Sequence, residues 1–173
     1  LAQRHEEITQ AGARVVGVSV DPPERNAAMI EKLRLPFPLL SDPEGQGAIR
    51  PYDVWHDEQS VALPAVVVLD RGGGELLRQV GEDVADRLDE DDLLAALRQA
   101  NLPAVTQQPP ARGAARPGPD AVELVWLPWF FRGAKTALAA LAGRTPEARQ
   151  QARRMRKGYD RFLEALDWFA EQR

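Results

Sequence analysis

The side chains able to do chemistry are few. The 173 residues contain no cysteine, which removes disulfides, thiolate metal sites and thiol catalysis from the chain itself. His5 and His56 are too few to hold a metal unless carboxylates complete the set. His5 falls at a helix surface or boundary. His56 follows Trp55 in a predicted loop, where an imidazole is a candidate base. The acids between Glu82 and Asp92 could bind a cation, but most are read as a solvated helix start rather than a specific metal site. Gly72-Gly73-Gly74 lacks the Lys-Ser/Thr ending of a phosphate loop and lies between two strand-like runs, so it is read as a turn. Trp126, Trp129, Phe130 and Phe131, with Arg132 and Lys135, suit either a packed aromatic corner or a membrane interface.

Composition narrows the partners. The net charge of −4 argues against a general nucleic-acid binder. Residues 111–173 carry 12 basic and 7 acidic side chains, against 10 and 19 in residues 1–110, so an acidic body bears a mildly basic C-terminal piece. No apolar run reaches the ~18 residues of a membrane span. Basic residues are nearly all Arg, and with abundant Ala, Pro and Gly this suggests, by association alone, a GC-rich bacterial genome.

The elements that must position these residues follow from periodicity. Leu1, His5, Ile8 and Ala11 keep helical spacing, with Gly12 as the stop and no cap before Leu1. Val15–Val20 is short and β-branched, a strand predicted to be buried on both faces. Asp21-Pro22-Pro23-Glu24 predicts a capped helix running to about Arg34, with Ala27, Ile30 and Leu33 inward. An extended Pro36–Pro43 segment leads to a weak helix near Gln46–Arg50 that Pro51 should break. Ala65–Leu69 and Glu75–Val80 predict a hairpin across the glycine turn. A helix opens at Asp89-Glu90-Asp91-Asp92 and ends near Ala100. Residues 101–120 hold five prolines and two glycines, a linker or an arm laid across the surface. Beyond them come a helix over Trp129–Ala142 and a second from Thr145-Pro146-Glu147 almost to the end. The second carries an apolar stripe of Met155, Tyr159, Phe162, Leu163, Leu166 and Phe169.

Four segments, Val15–Asp21 (VVGVSVD), Pro36–Pro43 (PFPLLSDP), Tyr52–Trp55 and Leu63–Asp70 (LPAVVVLD) with its glycine turn, stand in an order and spacing that resemble the redoxins. More closely, they look like the bacterial branch related to alkyl hydroperoxide reductase, thiol-specific antioxidant protein and the bacterioferritin comigratory peroxiredoxins, over about residues 1–100. The resemblance implies an α/β fold, a thioredoxin-like three-layer sandwich lacking its first core strand, with a C-terminal helical hairpin as an extension. The expected organisation is a redoxin domain at 1–100, incomplete at its N-terminus, a Pro-rich linker at 101–120 and a helical extension at 121–173.

The resemblance also implies thiol chemistry without a cofactor. The nucleophilic cysteine of such proteins opens the helix whose end stands at Leu1–Ala11, so it is expected roughly ten residues upstream of Leu1. There the helix N-terminus would stabilise a thiolate. Pro64 matches the family's active-site proline, which is cis, and Leu63 before it would offer backbone to an extended substrate. Ser60–Leu63 holds no arginine, where typical peroxiredoxins place one, which favours a thioredoxin-like reductase over an efficient peroxidase. The implied partners are a peroxide or disulfide and a thiol electron donor, with no nucleic acid. The C-terminal helices are read as packing, pairing two copies or touching a membrane surface. The expected compartment is a bacterial cytoplasm, with an upstream signal peptide left open. The competing function is a cysteine-free redoxin scaffold that binds or oligomerises through those helices.

Overall fold

The computed structural model describes residues 1–81, 85 and 90–171. They fall into two compact units, one made of residues 1–80 with 88–119 and the other of residues 81–87 with 120–173.

In the first unit, helix α1 (His5–Gln10) begins later than the spacing from Leu1 predicts. Arg4 offers no capping side chain, and the preceding residues make a turn through Arg4 N–H to Leu1 O. Gly12 ends α1 at φ +89°. The Ala13 N–H returns to Ile8 O and the Gly12 N–H to Thr9 O, the paired bonds of a Schellman stop. Strand β1 (Gly17–Ser19) leads to α2 (Pro23–Leu33), whose prolines fix its first turn while Asp21 makes no capping bond. Arg34, in the left-handed region, closes α2 with the same pair of bonds, from Leu35 to Ile30 and from Arg34 to Glu31. Strand β2 (Leu39–Ser41) runs parallel to β1 in the register Gly17↔Leu39, Ser19↔Ser41.

The weak helix predicted at Gln46–Arg50 is instead a run of turns. Bonds of uneven span, Arg50 N–H to Gly45 O, Tyr52 N–H to Ala48 O and Asp53 N–H to Arg50 O, replace a regular ladder, and Pro51 cannot donate one. Next come a two-residue ladder, β3 (Trp55–His56) against β4 (Val61–Ala62), and the hairpin β5 (Ala65–Leu69) and β6 (Glu75–Val80). Helix α3 (Glu90–Ala100) carries Glu90, Asp91 and Asp92 in its first turn, as the helix dipole favours.

The core is Ile8 of α1, Val68 of β5 and Leu93, Leu94 and Leu97 of α3, with Val15, Val66 and Leu77 packed against it. Helices α1 and α3 thus share one face of the hairpin and of the approach to β1. Arg4 reinforces this by bridging Glu7 (2.8 Å) and Asp91 (2.5 Å). The helix and strand order is that of a thioredoxin-like α/β fold. Burial of β1 on both faces is corrected: Val16 and Val18 are exposed, because only Val15 of this segment turns toward the core. Among the described residues the strands form three separate two-stranded ladders. Within them β1 pairs with β2 and β5 with β6.

Residues 101–119 have no helix or strand, yet they are tied down. The Val105 N–H donates to Thr9 O (2.9 Å) and the Arg116 N–H to Glu24 O (2.9 Å). The Gln107 carboxamide takes both backbone groups of Val15, accepting its N–H at 2.8 Å and donating to its carbonyl at 2.6 Å. One side chain thereby imitates the peptide group of a neighbouring strand.

The second unit is a helical hairpin. A 3₁₀ turn at Leu124–Trp126 feeds α4 (Leu127–Arg144), and a second at Pro146–Ala148 feeds α5 (Arg149–Glu171). Thr145 stands ahead of that second turn without a side-chain capping bond. The predicted stripe on α5 is the packed face, with Tyr159 and Phe169 buried and Met155, Phe162, Leu163 and Leu166 half-buried. Phe131 of α4 stacks on Phe162 at 5.0 Å and tilts against Tyr159 at 5.5 Å. Gly158 lets α5 approach the carbonyl of buried Ala85, where a Cβ would stand 1.7 Å from the oxygen.

Candidate active-site region

Leu63 and Pro64 lie between β4 and β5, where the chain leaves one ladder and joins another. Leu63 still belongs to the first, its N–H donating to Val54 O at 2.8 Å. Pro64 has no N–H to continue that ladder, so the pairing ends there and β5 starts afresh against β6. Both residues are half-buried. The cis bond expected at Pro64 is corrected, since the described residues contain no cis peptide. Trans is the ordinary X–Pro state, favoured by about 0.5–1 kcal/mol.

The neighbouring segments are knit to this corner. The turn from β3 to β4 passes through Ser60 at φ +52°. Arg50 lies over the Trp55 ring at 4.1 Å. Arg78 of β6 donates to Tyr52 O at 2.6 Å and pairs with Glu75 at 2.8 Å, which holds the Glu75 carboxyl below its usual range. Asp42 fastens the turns before Tyr52, its carboxylate accepting the N–H groups of Gly47, Ala48 and Ile49 at 2.8–3.0 Å. These bonds, that from Ile49 foremost, hold its pKa below the ordinary carboxylate value.

A second polar cluster closes the C-terminal ends of β1 and β2. Asn26 of α2, 3% exposed, accepts from the Ser19 hydroxyl (2.9 Å) and donates to Ser41 Oγ (3.1 Å) and Asp21 O (3.4 Å). Asn26, Asp42 and Gln107 were not anticipated from the sequence. Only Asn26 left a trace, a polar residue within the inward stripe of α2.

Each histidine engages one polar neighbour through a ring nitrogen. His5 Nε2 lies 3.1 Å from Gln107 Oε1. Because Val15 fixes the amide's orientation and Oε1 can only accept, Nε2 carries the proton. His5 also tilts against Phe37, with ring centroids 6.1 Å apart, which makes it a boundary residue as predicted. His56 lies in β3 rather than in a loop, and its Nδ1 faces the Gln59 N–H at 3.4 Å. The glycine turn is a turn: Asp70 Oδ1 accepts from Gly72 (2.7 Å) and Gly74 (2.8 Å), and Gly73 sits at φ +85°. Of the acids between Glu82 and Asp92, those at 82, 83, 86 and 89 lie outside the described residues. Among the described residues no three His, Asp or Glu side chains gather as a metal site.

Comparison with known proteins places the first part of the chain. Residues 1–74 match the AhpC/TSA family. A 38-residue stretch is 53% identical to the chloroplastic peroxiredoxin Q of Populus jackii, covering 22% of this chain and 18% of that protein.

Proposed function

From the peroxiredoxin-like redoxin character of residues 1–74, we propose that the chain is the larger part of a thiol-dependent oxidoreductase. It reduces peroxides or disulfides through a cysteine upstream of Leu1. The AhpC/TSA match carries this reading. The absence of cysteine from the 173 residues then requires the nucleophile to come from elsewhere. The separate β1–β2 and β5–β6 ladders support it too, since a strand between β1 and β5 would satisfy backbone edges that now lack strand partners.

In this reading the upstream cysteine opens the helix that ends in α1, where free N–H groups favour its thiolate. The thiolate attacks a peroxide O–O bond and becomes a sulfenic acid, while the other oxygen leaves as water or an alcohol. A donor thiol then displaces the sulfenic hydroxyl as water and forms a disulfide with the cysteine, and a second donor thiol attacks the donor sulfur of that disulfide, leaving as the oxidised donor disulfide and restoring the thiolate. Pro64 borders the site, and since the Leu63 N–H is committed to Val54, Leu63 presents its carbonyl to an extended substrate.

The test is to express the protein with its upstream coding sequence and follow thiol-dependent consumption of hydrogen peroxide and of a model disulfide. The extended protein should turn over and its upstream Cys→Ser variant should not; the 173-residue chain should stay at the buffer rate. An extended protein with no cysteine before Leu1 would refute the proposal. The second reading, a scaffold working through its C-terminal helices, is favoured by the exposed aromatic side chains of α4.

A further inference from the structure

The outward face of α4 is the feature that the redox reading leaves unused. The helix has 18 residues, none of them buried, and its only charged side chains are Arg132, Lys135 and Arg144. α5 covers one side through Phe131. The other side is apolar as well: Val125 and Trp126 in the preceding turn and Trp129 and Phe130 in the first turn are 63–68% exposed, and Leu141 is 46% exposed. A soluble helix ordinarily turns a charged face to water. Here four large apolar groups stand there within six residues, too concentrated for the scattered exposure of an ordinary surface.

The surrounding charge selects what covers them. Arg132 lies over the Trp129 ring at 6.0 Å, and a shallow groove beside it is lined by Arg132, Lys135, Thr136, Ala139 and Arg156. Lys135 is paired with Asp160. From Arg149 to Lys157, α5 has five basic residues and no acid. Indole rings prefer the headgroup level of a bilayer, where their N–H stays wet and their carbon surface is buried, and arginines beside them meet anionic headgroups. No helix among the described residues is long and apolar enough to cross a membrane, so α4 would lie along the surface.

We propose that Trp126, Trp129 and Phe130, with Arg132 and Arg156 beside them, seat this helical hairpin on an anionic lipid bilayer. The proposal is independent of the thiol chemistry. It is tested by sedimenting the full 173-residue chain with vesicles of phosphatidylcholine alone and of phosphatidylcholine mixed with phosphatidylglycerol. Binding is expected to the mixed vesicles and to be weaker by on the order of ten-fold or more to the neutral ones. The Trp126→Ser, Trp129→Ser, Phe130→Ser triple variant should lose most of it with its helical circular dichroism intact, because these side chains are exposed. Arg132→Glu with Arg156→Glu, which leaves the aromatic residues in place, should lose it also. Absence of binding to either vesicle, or equal binding by the native chain and the triple variant, would overturn the proposal. So would a native dimer that the triple variant converts to monomer without lipid, which would make a second copy the occupant.

Discussion

Replacing glycine by alanine at two helix positions should change stability in opposite directions. In a helix interior the added methyl restricts the unfolded chain and favours folding by roughly 0.5–1 kcal/mol. Gly133, exposed in the middle of α4, has nothing within 4 Å of a new Cβ and should show that gain in full. Gly158, buried in the middle of α5, faces the Ala85 carbonyl, whose oxygen would lie 1.7 Å and carbon 2.7 Å from the Cβ. Backbone cannot swing aside as a side chain can, so relief requires α5 and residue 85 to separate by more than an ångström, opening a site where Ala85 is 1% exposed. Overpacking of this kind costs about 1–3 kcal/mol. The propensity gain is common to both substitutions and cancels between them, so the difference between the variants should be about 1–3 kcal/mol. Urea unfolding followed by helical circular dichroism measures it, with Gly133→Ala moving the midpoint up and Gly158→Ala moving it down. Equal stabilisation by both would refute the close approach of α5 to residue 85.

Other perturbations probe the first unit. Gln107→Ala strips both partners from the Val15 peptide and should destabilise by about 1–3 kcal/mol in urea. Asn26→Leu should cost a similar amount, on the order of 1–3 kcal/mol, by stranding the Ser19 and Ser41 hydroxyls. Asp42 titrates below its ordinary value in the fold, so its contribution is fully present above the unfolded pKa of about 3.9 and disappears as pH falls through the folded value. An unfolding series from neutral pH to about pH 2 should therefore show a shallower acid loss in Asp42→Asn than in the native chain; identical slopes would contradict the capping role. The 173-residue chain should catalyse no thiol-dependent peroxide reduction, which a coupled peroxidase assay checks.

The parts legible in the sequence are those where one local signal dominates. The apolar run Ala65–Leu69, followed by three glycines and Glu75–Val80, marked the hairpin, and the Tyr159, Phe162 and Phe169 stripe marked the packed face of α5. A helix end was less legible where no side chain punctuates it, as at Arg4, whereas the end of α2 near Arg34 was legible even though Arg34 takes a conformation glycine would ordinarily supply. The exposure of Val16 and Val18 was illegible, because β-branched composition reports strand tendency and not how many layers cover the strand. In the candidate site, Pro64 was found through family likeness and its place between two ladders follows from its missing N–H. Gln107 could not be anticipated: its role depends on a partner 92 residues away, and nothing local in a proline-rich arm marks it.

That separation of 92 residues between Gln107 and Val15 bears on the order of assembly. The hairpin β5–β6 and the α4–α5 pair close short loops and are cheap in chain entropy to form early. The arm can grip Val15 only after the segments between them have been gathered in. Its bonds should accordingly be absent from the folding transition state and present only in the native one. Gln107→Ala would then leave the refolding rate nearly unchanged and accelerate unfolding, so the arm acts as a latch on the lifetime of the folded state more than as a guide to reaching it.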